Sequence, residues 1–141
     1  MTHSPKSSTR LLVAFLGGAS LAALSIAAPA LAQTLSGAKT VTQTFSAADL
    51  NVATDATFSV TTLTGNAIDL TSTNSLIFTD NYQSVINGVD NVTGATYGIR
   101  AFNYGTGALS ITSTGTATAT GAISIGIYAN NSGTNLTLTS N

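Results

Sequence analysis

Three features of the chain predict an all-β fold, a parallel β-helix (solenoid) of roughly four coils. Residues 97–107 return 28 positions later at 125–135: Gly98 matches Gly126, Ile99 matches Ile127, Ala101 matches Ala129, Asn103 matches Asn131, and Gly105-Thr106 matches Gly133-Thr134. Apolar and polar residues alternate in Leu109-Ser110-Ile111-Thr112 and again in Leu136-Thr137-Leu138-Thr139, the sign of strands with one buried face. Residues 33–141 combine abundant Thr, Val and Ile with little charge, the reverse of a disordered linker. Hairpin sandwiches and barrels need no long-period identity, whereas stacked coils set like side chains on like.

A leader comes first. Met1 to Arg10 is polar and carries Lys6 and Arg10, Leu11 to Ala28 is apolar, and Ala30-Leu31-Ala32 has the small-residue spacing of a cleavage site. This is the anatomy of a bacterial-type secretory signal, a helical signal peptide over 1–32 cut after Ala32. Gly17, Gly18 and Ser20 count against an uncleaved membrane anchor. The 109 residues at 33–141 remain, enough for one small domain.

Short strands are expected at 41–46, 58–63 and 76–79, and Ala67-Ile68-Asp69-Leu70-Thr71 alternates like the later ones. Residues 64–72 align with 106–113 once one insertion is allowed. In the repeat, Tyr97, Ile99 and Ala101, with Ile125, Ile127 and Ala129, are expected to face inward. Gly98, Arg100, Phe102, Gly126 and Tyr128 are expected to face outward. Asn103 and Asn131 end their strands and Gly105 and Gly133 follow; both residue types accept left-handed backbone angles, so corners are expected there. The offset falls from 28 to 27 between Thr106 and Leu109, beside Gly107, at a turn where a lost residue leaves the strand faces unchanged. The early, degenerate units suit a capping coil, and the last repeat stops at Asn141 without one. The chain is therefore expected to be the N-terminal part of a longer protein, incomplete at its C-terminus.

The units GlyIleArgAlaPheAsnTyrGlyThrGlyAlaLeuSerIleThrSerThrGly and GlyIleTyrAlaAsnAsnSerGlyThrAsnLeuThrLeuThrSer resemble autotransporter passenger domains of Gram-negative bacteria. The resemblance covers 64–141 and the leader. It implies a parallel β-helix, right-handed in that family, exported to the cell surface through a C-terminal outer-membrane β-barrel. No segment of this chain has the tilted strands and aromatic girdles of such a barrel. Export across the inner membrane is expected, with a periplasmic location for the chain as it stands and a cell-surface or outer-membrane one within a full-length parent. The implied role is a structural or adhesive stalk. Its partners would be a host or bacterial surface protein or glycan, with membrane contact only through the signal peptide and the missing barrel.

Composition removes most chemistry. His3, the one histidine, leaves with the leader, and there is no cysteine, so base-activated nucleophiles and zinc sites lack their groups. Neither Gly-x-Ser-x-Gly nor a phosphate-binding glycine pattern occurs. No enzyme activity, cofactor or metal residue is assigned on this basis. Lys39 and Arg100 face five Asp in 33–141, a net charge of −3, which argues against nucleic acid. Asp80 and Asp90, beside Asn81, Asn87 and Asn91, form an oxygen-rich stretch, but without a bidentate Glu they are expected to cap turns and not to hold calcium. The alternative readings are a β-helical carbohydrate-active fragment using Asp69, Asp80 and Asp90, and a truncated chain with no independent role. Arg100, Phe102 and Tyr128 mark a possible surface contact, against the competing view that these rings, like Tyr82, Tyr97 and Tyr104, only fill the stack. An uncovered terminal coil would also allow self-association.

Overall fold

Branched side chains crowd a helix but fit a pleated ladder, and the Thr, Val and Ile of this chain form strands. The computed structural model describes residues 32–89 and 94–141, and no helix occurs among them. The expected leader, apart from Ala32, lies outside the described residues, as do Asp90, Asn91, Val92 and Thr93. Eleven strands follow in order: β1 (Gln33–Leu35), β2 (Ala38–Lys39), β3 (Gln43–Thr54), β4 (Ser59–Thr61), β5 (Ile68–Asp80), β6 (Val85–Gly88), β7 (Thr96–Asn103), β8 (Leu109–Ser113), β9 (Thr116–Ala119), β10 (Ser124–Asn131) and β11 (Leu136–Ser140). They build two parallel sheets. The larger runs β1-β3-β5-β7-β10 with β8 and β11 continuing from β5, and the smaller runs β2-β4-β6-β9. Each coil crosses the large sheet, turns, crosses the small one and returns a rung further on.

This is a β-solenoid of about three turns, not four. The rungs are not equally spaced in sequence. Phe45 pairs with Leu70, Leu70 with Ala101 and Ala101 with Ala129, steps of 25, 31 and 28 residues. The longer middle step uses up chain, and the outermost strands at each end make only part of a turn. All the variation falls in corners. Between β7 and β8 the chain spends residues 104–108, and between β10 and β11 only 132–135, so the residue lost near Gly107 is indeed lost in a turn.

The core is a set of columns. Ile99 stands beside Ile127, and Leu109 beside Leu136, as the repeat requires. One column is Leu50, Leu76, Leu109 and Leu136; another is Val52, Phe78, Ile111 and Leu138; a third is Ile68, Ile99 and Ile127. Val60 and Ile86 come from the small sheet, and all the inner members of these columns are buried. Each such side chain contributes about 1.5–3 kcal/mol of burial free energy. At the N-terminal end Gln43 and Gln33 stand beside Ile68 and Val52, polar residues where a column meets water.

A polar ladder runs through the same interior. Ser72, Asn103 and Asn131 occupy one column. Ser72 Oγ donates to Asn103 Oδ1 (2.8 Å), and Asn103 Nδ2 donates to Asn131 Oδ1 (2.8 Å) and to the Gly107 carbonyl (3.0 Å). Each Asn Oδ1 also accepts an N–H two residues on, from Gly105 and Gly133, both at 3.1 Å. The ladder thus satisfies buried amides that would otherwise cost about 1–3 kcal/mol apiece.

Three expectations need correction. Residues 64–72 do not align with 106–113: Ile68 pairs with Ile99, and it is Leu76 that pairs with Leu109. Both halves of the long strand alternate alike, so periodicity could not separate them. Tyr97 does not face inward with Ile99. Gly98 and Ile99 are both buried, so the alternation slips by one there, and a Cβ on Gly98 would run into the Thr118 and Gly126 backbones. Finally, Gly105 and Gly133 do not take left-handed angles; among the described residues positive φ occurs at Gly37, Gly65, Gly121 and Gln83. They are glycine for clearance, since a Cβ at either would overlap the backbone of the preceding coil.

Candidate functional site

Alternation along β5, β7 and β10 sends one set of side chains outward, and parallel register gathers them. Asp69, Arg100 and Tyr128 share one row across the three strands. Arg100 Nε donates to Asp69 Oδ1 at 2.7 Å and Nη2 to Oδ2 at 3.1 Å. Asn66 Nδ2 reaches the same carboxylate at 3.1 and 3.3 Å. The fork is bidentate, which fixes the guanidinium plane. That plane sits 6.0 Å from the Tyr97 ring centre and 5.7 Å from that of Phe102, within the range of cation–π attraction worth about 0.5–1 kcal/mol at exposed sites.

The rings continue the strip. Tyr97 and Tyr128 lie 5.4 Å apart, Phe102 and Tyr128 5.6 Å apart, and Phe102 stacks on Tyr104 at 5.6 Å with planes nearly parallel. Of these, Tyr104 is the most open, 62 % exposed. The expected trio of Arg100, Phe102 and Tyr128 is therefore brought together, with Tyr97 and Tyr104 joining it. Sequence reasoning missed Asp69 as the partner of Arg100. Repeat identity carried no signal for it, because the row changes residue type at each rung. Tyr82 is exposed but is not one of the rings of this strip; its N–H donates to Asp80.

The charge of the strip cancels internally, and what faces solvent is ring surface with phenol hydroxyls at its margin. Such a surface suits an uncharged partner that offers apolar faces and hydrogen-bonding edges. Catalysis would ask for other parts. Asp69 is committed to Arg100, and Asp80, at the end of the same strand, is turned into the core. Asp80 Oδ1 accepts from Thr54 Oγ1 (2.7 Å), Ser84 Oγ (2.8 Å) and the Tyr82 N–H (3.2 Å), while its Oδ2 and the Oγ of the neighbouring Ser113 have no partner. The two carboxylates face opposite sides of the sheet.

The other described acids serve corners. Asp49 accepts from Ser75 Oγ and Asn74 Nδ2. Asp55 accepts from the Thr57 hydroxyl and N–H (2.7 and 2.8 Å), bonds that hold its carboxyl below the ordinary carboxylate range. Among the described residues no three His, Cys, Asp or Glu gather as metal ligands. The expected oxygen-rich stretch is only partly visible, because Asp90 and Asn91 lie outside the described residues. Comparison with protein-family models, with curated proteins and with solved structures returns no match.

Proposed function

We propose that the chain is an exported, non-enzymatic β-solenoid segment of the autotransporter-passenger kind, serving as a structural or adhesive stalk within a longer cell-surface protein. The observation that carries this reading is the outward strip of Tyr97, Arg100, Phe102, Tyr104 and Tyr128 on adjacent rungs. Rungs rise about 4.8 Å each, so a stack of them holds such a strip at a set height and orientation. The leader would take the chain across the inner membrane, and a barrel elsewhere in the parent would take it across the outer one. The partner is a host or bacterial surface protein or glycan. With Asp69 tied to Arg100 and Asp80 enclosed, carboxylate chemistry has no observation in its favour.

Adhesion of cells displaying the parent protein tests this. Removing 97–141 is expected to abolish attachment, and the double change Phe102→Ala with Tyr128→Ala to lower it at least about tenfold, a loss of about 1.4 kcal/mol. Equal attachment by all three proteins would remove the adhesive role.

A further inference from the structure

The outer edge of β10 and β11 is unpaired: β10 bonds only to β7 and β11 only to β8. Such an edge accepts any strand unless something selects, and here the asparagine ladder selects. Asn103 spends both N–H groups of its amide, one on the Gly107 carbonyl and one on Asn131 Oδ1 of the next rung. Asn131 repeats half of that pattern. Its Oδ1 takes the Asn103 and Gly133 N–H groups, and its Nδ2 donates to the Asn135 carbonyl at 2.7 Å. The second N–H, which in Asn103 crosses to the following coil, has no acceptor. Beside it, Leu136 and Leu138 stand 52 % and 50 % exposed at the ends of columns that are otherwise buried.

We infer that this edge is a docking surface for one further parallel β-coil carrying asparagine at the ladder position, with glycine two residues later and aliphatic residues over Ile127, Leu136 and Leu138. Three constraints act together. An amide oxygen is needed over Asn131, and the same residue must supply the donor that closes its own corner. Glycine is needed at the second position because Gly105 and Gly133 each lie where a Cβ would overlap the coil before. The apolar columns continue the interface already made by β7 and β8 with β10 and β11.

A second copy of the chain fits poorly. Its outermost rung would bring Ala47 to the ladder column and Gln33 to the column of Leu138, leaving the amide unpaired and an amide side chain against leucine. Antiparallel pairing through the same edge would break the ladder as well.

The test is the full chain extended after Asn141 by a copy of its own residues 115–141. Asn141 bonds to the Ser113 carbonyl as the next residue along the coil, so the copy begins in phase. Amide hydrogen exchange in Ser124–Asn131 and Leu136–Ser140 is the readout, beside the unextended chain. Exchange there is expected to slow at least about tenfold, roughly 1.4 kcal/mol of added protection. An otherwise identical extension whose copy of Asn131 is changed to Ala is expected to give little slowing. Equal slowing from both would overturn the ladder as selector, and no slowing from either would overturn the surface. Slowing in the unextended chain that grows with its concentration would make a second copy the occupant and overturn the inference too.

Discussion

Two rungs with nearly the same sequence meet different fates. Leu109 and Ile111 in β8 are fully buried, while Leu136 and Leu138 in β11, their register partners, are about half exposed. The strands share pattern, corner and ladder residue. They differ in having a neighbour on two sides or on one. Burial in this fold is therefore set by place in the stack, not by local sequence, and stability is shared out in the same way.

The largest effect should come from the core itself. Leu109→Ala is expected to cost about 2–5 kcal/mol in urea unfolding, since a closed column is left with a void. Leu136→Ala should cost about 1 kcal/mol or less, because water already reaches that site. Equal losses would mean that the outer rung is covered in solution, and the contrast between the two rungs would fail. Next comes the ladder. Asn103→Ala strands the Ser72 hydroxyl, the Gly105 N–H and the Asn131 oxygen, and should lower stability by about 1–3 kcal/mol. Asn131→Ala should cost less, having one rung to lose instead of two.

The smallest effect separates the N-terminal corners from the rest. The corner after β3 rests on Asp55, whose ionised form is favoured by the Thr57 hydroxyl. A carboxyl lowered on folding adds stability at pH values above its ordinary range, and that stability is lost as pH falls through the folded value. In Asp55→Asn the acid limb of the melting temperature against pH should be slightly flatter. An unchanged limb would show that this exposed corner adds nothing measurable.

Much of this architecture was legible in the residues. The 28-residue identity of Ile99 with Ile127 and the alternation around Leu109 placed neighbours correctly, because parallel stacking is a statement about equivalence. Turn number was overestimated because a fixed period was assumed, while the step from Leu70 to Ala101 stretches to 31. The half-coil slip of 64–72 arose because two alternating half-strands look alike. Tyr97 went to the wrong face because period 2 was carried through Gly98, where backbone approaches backbone and the pleat resets. Of the outer strip, Arg100, Phe102 and Tyr128 were foreseen, but the ion pair was not. Asp69 and Arg100 sit 31 residues apart in a row that repeats no residue type.

The uneven corners carry a last consequence. Since steps of 25 and 31 residues serve the same columns, insertions and deletions at the turns leave the apolar files aligned. A single residue gained inside a strand would instead exchange the wet and dry sides of everything up to the next bend. Change in this chain is thus free in some places and forbidden in others, and its length can drift by turn fragments or whole coils while the cross-section stays the same.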